Sequence, residues 1–294
     1  GVTGRIVVQD PASGGGQAFT VQAGTPLTNP LQVDAGVEST TLIGGIATNV
    51  PGDVSIGSSV ITVRSDVSTA TTGSSVTFQG ATTLAGPVAV STGAGGGDIL
   101  FGSTLDGQQP LTLTAGTGRV AFFGLVGDTA PLGAITIVSA ADVDANGIRA
   151  ASLTQVGGSG ITTLNGGLFT SAPAGIAAVQ TTGAAGVSVT GTSLAVNNAI
   201  TATGGGGVTF AQGPTAILGL ASAGDIIADG PVSLSAGGGI STAGDVTTSG
   251  SDVTYASPLT LTAPVAVSTG AGEGDIFFGS TLDGQQPLTL TAGT

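Results

Sequence analysis

The stretch PVAVSTGAGGGDILFGSTLDGQQPLTLTAGT, residues 87–117, decides how the whole 294-residue chain is interpreted. The block at 264–294 repeats it with only two substitutions in 31 positions. The substitutions are Gly96 to Glu273 and Leu100 to Phe277. Long internal repeats are typical of solenoids, in which each unit buries its apolar surface only by stacking on its neighbours.

A shorter repeat of about 20 to 24 residues lies within the longer one. Phe101-Gly102 returns as Phe123-Gly124 after one such interval. Gly-Asp followed by Ile or Val occurs at 52–54, 97–99, 224–226, 244–246 and 274–276. The surrounding runs alternate apolar with small or polar residues, which is typical of strands. We expect an all-β, right-handed parallel β-helix (β-solenoid) of about 13 rungs of roughly 20–24 residues, stacked ~4.8 Å apart.

Two other structures are compatible with parts of this pattern. Gly (54) and Pro (13) are frequent enough to approach the composition of disordered chains, but abundant Val, Ile, Leu and Thr supply apolar area for a core. Tandem antiparallel sandwiches would also give short strands. They do not explain a repeat of about 22 residues, so the solenoid is preferred.

The composition excludes several classes of function. The chain has no Cys, His, Met, Trp or Lys, its four cations are all arginines, and its net charge is −13. Nucleic acid needs clustered Lys or Arg, so we expect no nucleic-acid partner. The lack of Cys excludes disulfides and thiolate metal sites. No apolar run reaches the ~18 residues of a membrane helix, so we expect no membrane insertion.

The domain organisation is predicted to be one continuous β-solenoid segment, residues 1–294, in which 87–117 and 264–294 belong to a 177-residue higher-order repeat. The absence of an initiator Met and of a signal peptide leads us to expect a segment of a longer chain. Neither end carries a polar capping segment. We therefore expect adjoining segments of the same chain, or identical subunits stacked end to end, as partners that cover the open rungs.

The run DGQQPLTLTAGTGRVAFFGLVGDTAPLGAITIVSAADVDANGIRAASLTQVGGSGITTLNG, residues 106–166, resembles the repeats of very large bacterial exoproteins of the filamentous haemagglutinin type. The resemblance covers residues 87–294 and, in general character only, residues 1–86. It includes no catalytic signature. It implies a right-handed β-helix of the two-partner-secretion or autotransporter-passenger type, displayed on the cell surface or secreted, that serves adhesion, aggregation or fibre formation.

The segment ADVDANGIRAASL, residues 141–153, contains the candidate metal site. Asp142, Asp144 and Asn146, followed by a glycine, match the first half of an EF-hand calcium loop. The bidentate Glu that should follow six positions after the glycine is Leu153, so the set of ligands is incomplete. We prefer to interpret the segment as a polar corner in which Asp and Asn bond their own backbone, with calcium as the alternative, and we expect no cofactor.

Two other polar features have similar structural explanations. The segment STGAGGGDILFG, residues 91–102, is similar to a calcium-binding glycine-rich nonapeptide, but its second copy carries Glu273 and no tandem array follows. Carboxylate pairs for catalysis could only come from Asp98 with Asp106 or Asp142 with Asp144, and turns explain these residues equally well. We expect no enzyme activity and no catalytic residue.

Two patterns make predictions about which side chains face outward. In the pairs Phe122–Phe123 and Phe277–Phe278, one ring must point outward if the strand is regular, and a bend that buries both rings is the alternative. Thr-Leu-Thr triplets at 112–114, 260–262 and 289–291 raise the question of threonine rows. We expect rung length to vary too much to keep such rows in register.

These observations favour a structural protein, a segment of a giant extracellular or cell-surface β-solenoid that acts as a rod, spacer or filament. Whether rods bundle laterally is left open. The alternative is an adhesin module that binds carbohydrate or a partner surface through its lateral face. Protruding loops would favour the adhesin and uniform coils the spacer, and residues 141–175 are the least regular stretch.

Overall fold

A computed structural model describes residues 6–9, 18–22, 29–34, 37–43, 47–171 and 174–293. These residues form an all-β parallel β-solenoid of about eleven turns, which confirms the predicted fold class. The described residues contain no helix, and thus none that is long and apolar enough to cross a membrane. The chain divides into two compact units, Gly1–Asp144 and Ala145–Thr294.

The first unit contains short strands, mostly of three to five residues. In chain order they are β1 (Ile6–Val8), β2 (Ala18–Gln22), β3 (Leu31–Val33), β4 (Ser39–Ile43), β5 (Ala47–Val50), β6 (Val54–Ile56), β7 (Val60–Val63), β8 (Val67–Thr69), β9 (Val76–Phe78), β10 (Ala81–Leu84), β11 (Val88–Ser91), β12 (Ile99–Phe101), β13 (Leu105–Asp106), β14 (Leu111–Thr114), β15 (Val120–Phe122), β16 (Leu132–Ser139) and, at the boundary, β17 (Val143–Ala145).

The second unit continues with strands of similar length. They are β18 (Ile148–Gln155), β19 (Ile161–Leu164), β20 (Gly167–Phe169), β21 (Gly175–Ala177), β22 (Val179–Thr181), β23 (Val187–Gly191), β24 (Ser193–Val196), β25 (Ile200–Ala202), β26 (Val208–Gln212), β27 (Leu218–Leu220), β28 (Ile226–Ala228), β29 (Val232–Ala236), β30 (Ile240–Thr242), β31 (Val246–Thr248), β32 (Val253–Tyr255), β33 (Leu259–Leu261), β34 (Val265–Ser268), β35 (Ile276–Phe278), β36 (Leu282–Asp283) and β37 (Leu288–Thr291).

The strands of the first unit stack in parallel as three ladders. Ladder 1A is β1-β3-β6-β9-β12-β15-β17, ladder 1B is β2-β4-β7-β10-β13 and ladder 1C is β5-β8-β11-β14-β16. The strands of ladder 1A begin at Ile6, Leu31, Val54, Val76, Ile99, Val120 and Val143. These starts follow one another at the interval of the short sequence repeat, so one strand per turn accounts for that repeat.

The second unit also has three parallel ladders. Ladder 2A is β19-β24-β27-β30-β33-β36, ladder 2B is β22-β25-β28-β31-β34-β37 and ladder 2C is β23-β26-β29-β32-β35, while β18 pairs with both β22 and β23. Most paired residues of ladder 2A are separated by about one short repeat, but Ile161 pairs with Ser193 across a much longer turn. This long turn is one reason why the expected number of about 13 rungs exceeds the observed number of about eleven.

Columns of inward-facing side chains form the core of each unit. In the first unit the rings of Phe78, Phe101 and Phe122 stack on successive turns, with centroids 5.2 and 5.4 Å apart. All three rings are at most 1% exposed, and burial of such a side chain contributes about 1.5–3 kcal/mol to the free energy of unfolding. Because the neighbouring turns stack on each ring, a turn cannot bury its own core alone.

The Gly-Asp-Ile triplet at 97–99 links its turn to both neighbouring turns. Asp98 Oδ1 accepts a hydrogen bond from the backbone N–H of Arg119, one turn later, at 2.8 Å. Gly97 faces the previous turn, where a Cβ atom would overlap the carbonyl oxygen of Ser74, and Ile99 is fully buried. At other copies of the triplet the same carboxylate-to-backbone bond joins Asp53 to Ser75, Asp225 to Asp245 and Asp245 to Ala266, and Asp252, which follows a serine, binds Asp275 in the same way. These carboxylates therefore cross-link successive turns.

A threonine column lies in the first unit, away from the Thr-Leu-Thr triplets. Thr20, Thr41, Thr62 and Thr83 are direct partners on successive strands of ladder 1B, at a constant interval along the chain. At the triplets the partners differ: Thr260 lies between Ser241 and Asp283, and Thr289 pairs with Ala266. No threonine row therefore passes through these two positions.

Candidate functional site

The clearest departure from the regular stack is a hairpin in the second unit. Strands β20 and β21 pair antiparallel, with Leu168 opposite Ile176, whereas β19 with β24 and β18 with β22 pair in parallel on either side of it. The hairpin is inserted into the long turn between β19 and β24, after an Asn165-Gly166 corner at which Gly166 has φ +115°. Glycine adopts a positive φ without the steric penalty that other residues incur, so this corner can turn the chain out of the stack.

The two faces of the hairpin differ in burial. Phe169 and Ala177 are at most 2% exposed, while Leu168 and Ile176, on the opposite face, are each 62% exposed. Aliphatic side chains this exposed contribute little to the stability of the fold. If another surface covered them, their burial would contribute to the free energy of binding. The hairpin thus has a buried inner face and an exposed, apolar outer face.

A buried arginine holds the inner face of the hairpin. Arg149, on β18, is 2% exposed, and its Cζ atom lies 4.2 Å from the centroid of the Phe169 ring. Its Nη1 donates to Ser171 Oγ at 2.8 Å, and its Nε donates to Gln180 Oε1 at 2.9 Å. Guanidinium stacking on an aromatic face together with several hydrogen bonds is the usual way to keep a charge buried. Sequence reasoning did not identify this anchor.

One sequence signal points to this region. Residues 150–224 contain no charged side chain, although the chain as a whole carries a net charge of −13. Arg149 is the last charged residue before this stretch, and Asp225 is the next one after it. The hairpin and the turns that follow it in this stretch therefore contribute no charge of their own to repel an approaching surface.

The structure places the residues of the predicted metal corner in hydrogen-bonded contacts. Asp144 Oδ2 forms a salt bridge with Arg119, at 2.7 Å from Nη2, and also accepts from its Nε at 2.8 Å. In the second unit, Asn146 Oδ1 accepts a long bond of 3.5 Å from Asn165, whose own Oδ1 accepts from Asn197 at 2.9 Å. Among the described residues, no three acidic side chains converge on one point. The absence of calcium here stays a prediction.

Both members of one predicted carboxylate pair bond to backbone on the next turn. Asp98 binds the N–H of Arg119, and Asp106 Oδ1 accepts from Thr129 and Ala130 at 2.9 and 3.0 Å. Each of these two carboxylates thus has a structural role, because it links its turn to the following one. Asp34 differs in its partners, since its carboxyl group accepts hydrogen bonds from the side chains of Gln9 and Gln32. These bonds lower the pKa of the Asp34 carboxyl group. That the chain has no enzyme activity stays a prediction.

The phenylalanine pairs follow the regular-strand prediction. Phe122 is buried while Phe123 is 49% exposed, and Phe278 is half-buried while Phe277 is 50% exposed. The alternative, a bend that buries both rings, is wrong. Arg119 lies over the exposed ring of Phe123, with its Cζ 5.4 Å from the centroid, so this ring already has a polar neighbour within the first unit.

The hairpin therefore stands as the candidate interaction site, built from Arg149, the Phe169 ring and the exposed Leu168–Ile176 pair. Its chemistry suits binding rather than catalysis, because its outer face offers aliphatic area and no charge. Comparisons of the chain with models of known protein families, with curated proteins and with solved structures give no match.

Proposed function

We propose that this chain is a structural segment of an extracellular β-solenoid, a stalk or spacer of the filamentous haemagglutinin type. The observation that carries the proposal is the repetition of one parallel turn, with core columns and carboxylate-to-backbone bonds at the same place on successive turns. Such a stack resists unfolding because most of its hydrogen bonds and buried contacts lie between turns. The partners in this proposal are adjoining segments of the same chain or identical subunits.

The resemblance in residues 106–166 supports the bacterial cell-surface location, and the solenoid fold is compatible with it. The acidic, lysine-free composition is suited to an exposed spacer, because a high net charge limits unspecific association. The chain would then separate a surface anchor from a distal domain, and its role would be mechanical.

Electron microscopy of the purified chain, combined with single-molecule stretching, tests this proposal. We expect an elongated particle that unfolds at high force in several steps, because each turn is held by its neighbours. A compact particle, or a chain that extends at negligible force, would contradict a role as spacer.

The hairpin supports a second candidate function, adhesion through the lateral surface. The observation in favour is the exposed Leu168–Ile176 pair on a hairpin that interrupts otherwise regular turns. In this candidate the hairpin contacts a carbohydrate or protein surface, and the regular turns only display it.

A glycan array and a cell-binding assay with the variant Leu168→Ser/Ile176→Ser test adhesion. The variant leaves Arg149 and Phe169 in place, so the hairpin should stay anchored. Ile227→Ser is the matched control, since Ile227 is 50% exposed on the regular strand β28. Loss of binding in the hairpin variant alone supports the adhesin, and equal binding by all three proteins contradicts it.

A further inference from the structure

The outward face of ladder 2A, on strands β19, β24, β27, β30 and β33, consists of small or aliphatic residues. Side chains alternate along each strand, so the residue before β27, Ile217, and the middle residue of that strand, Gly219, face outward on neighbouring positions. The equivalent positions one and two turns later are Gly239 with Ser241 and Pro258 with Thr260. None of these residues carries a charge.

A knob and a groove lie side by side on this face. Ile217, which directly precedes β27, is 57% exposed. Next to it is an open groove of about 360 Å³, whose floor is formed by Gly238 and Gly239 and whose far side is formed by Pro258. The glycines create the groove because no side chain fills the position that Ile217 occupies one turn earlier.

The other two faces of the second unit are acidic at the corresponding places. Asp225 and Asp245 precede strands β28 and β31 of ladder 2B, and Asp252 and Asp275 precede β32 and β35 of ladder 2C. Two copies of a chain with a net charge of −13 repel each other, and contact through ladder 2B or 2C would place carboxylates against carboxylates. Strands β19 to β33 of ladder 2A carry no carboxylate, and the first one on this ladder is Asp283 on β36, which pairs with Thr260. Contact centred on Ile217 and Gly239 therefore meets less repulsion than contact through ladder 2B or 2C.

We propose that the occupant of this face is a second copy of the chain, which packs its own ladder 2A face against it. A twofold axis between two such faces brings Ile217 of each copy to the groove of the other, because knob and groove are adjacent on the same surface. The face spans only five short strands, so the association of one pair of faces is weak. Many such pairs along a longer array would together give a stronger association. This pairing rests on the proposed structural function, because it would join spacers side by side.

Sedimentation equilibrium of the 294-residue chain over a concentration series tests the pairing, in about 0.5 M salt to screen the net charge. We expect the wild type to dimerise reversibly. Ile217→Asp should lower the association constant at least about tenfold, because it puts a carboxylate into the apolar groove of the partner. Ile227→Asp is the matched control, since it adds the same charge at an isoleucine that is 50% exposed on ladder 2B, and it should change association less than about twofold. Equal weakening by both variants would overturn the proposal.

Disulfide crosslinking tests the pairing if the dimer is too weak to be detected by sedimentation equilibrium. The chain has no cysteine, so single cysteines introduced at Ile217 and Ser241 give no background. A mixture of Ile217→Cys and Ser241→Cys should form disulfide-linked dimers faster than Ile227→Cys with Ser241→Cys, because only the former pair is brought together. Equal rates for the two mixtures, together with a monomeric wild type, overturn the pairing. Such a result would leave the mechanical proposal intact, because that proposal is tested on single chains.

Discussion

The near-identical blocks 87–117 and 264–294 fold into the same local structure. Val88 pairs with Leu111 between β11 and β14, and Val265 pairs with Leu288 between β34 and β37, which are the corresponding positions of the two copies. Phe101 stacks on Phe78 at 5.2 Å, and its counterpart Phe278 stacks on Tyr255 at 5.4 Å. Sequence identity thus reproduces both strand register and ring stacking.

Burial differs sharply between the two blocks. Leu105 and Leu113 are fully buried, whereas their counterparts Leu282 and Leu290 are 42% and 50% exposed. In the first block the next turn covers these residues, since Val126 forms a parallel bridge to Leu105 and β16 pairs with β14 at Leu113. In the described residues no strand follows β37 to cover the second block. A turn of this fold therefore determines its own strand register and ring stacking but depends on the next turn for the burial of its side chains.

The largest difference is expected for alanine at the stacked ring. Phe101→Ala should lower the free energy of unfolding by about 3–5 kcal/mol, because the ring is buried between Phe78 and Phe122. Phe278→Ala should cost about half as much, since Phe278 is half-buried and stacks on Tyr255 from one side. Guanidinium unfolding followed by circular dichroism measures both. Equal losses would mean that burial by the next turn contributes little.

Adding a covering turn should remove the difference between the blocks. Residues 118–145 follow the first block, so a chain with a second copy of 118–145 after residue 294 places the same sequence after the second block. We expect hydrogen exchange at Leu282 and Leu290 to slow by more than about tenfold, because covering one leucine contributes about 1.5–3 kcal/mol. A scrambled extension of the same composition is the control. Similar exchange rates with both extensions would show that turns do not recognise each other by sequence.

A smaller difference is expected for the carboxylate that links turns. Asp98 binds the N–H of Arg119, while its counterpart Asp275 accepts no such bond from the described residues. Asp98→Ala should lower the free energy of unfolding by about 1 kcal/mol, and Asp275→Ala should change it by less than about 0.5 kcal/mol. Urea unfolding measures the two. Asp98→Asn keeps an acceptor oxygen and serves as the control, and a large effect of Asp275→Ala would contradict the assigned role.

The fold class was accessible from the sequence because each part of the Gly-Asp-Ile/Val repeat performs a turn-to-turn function. Gly97 contacts the previous turn, Asp98 bonds the next one, and Ile99 enters the core. The triplet occupies only some of the turns, and the interval between its copies at 224–226 and 244–246 is one turn. The outward ring of Phe123 was predictable for a similar reason, since strand alternation alone places it.

The candidate site was less accessible, because it depends on contacts between residues that no local pattern connects. The segment 167–177 has no Asn-Gly or Asp-Gly turn signal between its two strands, so the sequence does not reveal that it pairs with itself. The partner of Arg149 is Phe169 on the inserted hairpin, and nothing in the spacing of the two residues predicts their contact.

A further difference is expected at Tyr255, which precedes the second block and whose counterpart 177 residues earlier is Phe78. Both rings are fully buried, but the Tyr255 hydroxyl has no hydrogen-bond partner among the described residues. Tyr255→Phe should therefore raise the free energy of unfolding by about 1 kcal/mol, since a buried hydroxyl without a partner is costly. The reverse change, Phe78→Tyr, should lower it by a similar amount. Urea unfolding at pH 7 measures both, and a loss of stability in Tyr255→Phe would contradict this assignment.

Alkaline pH should enlarge the effect at Tyr255. Burial, together with the nearby charge of Asp245, raises the pKa of Tyr255 above its ordinary value. From about pH 10 upward the unfolded chain ionises this tyrosine while the folded chain keeps it protonated, so the free energy of unfolding falls as pH rises. Tyr255 is the sole tyrosine, and the chain has no Lys or Cys, so no other side chain titrates in this range. Tyr255→Phe should abolish the decline between about pH 10 and 11.5, and a decline of the same slope in the variant would place its cause elsewhere.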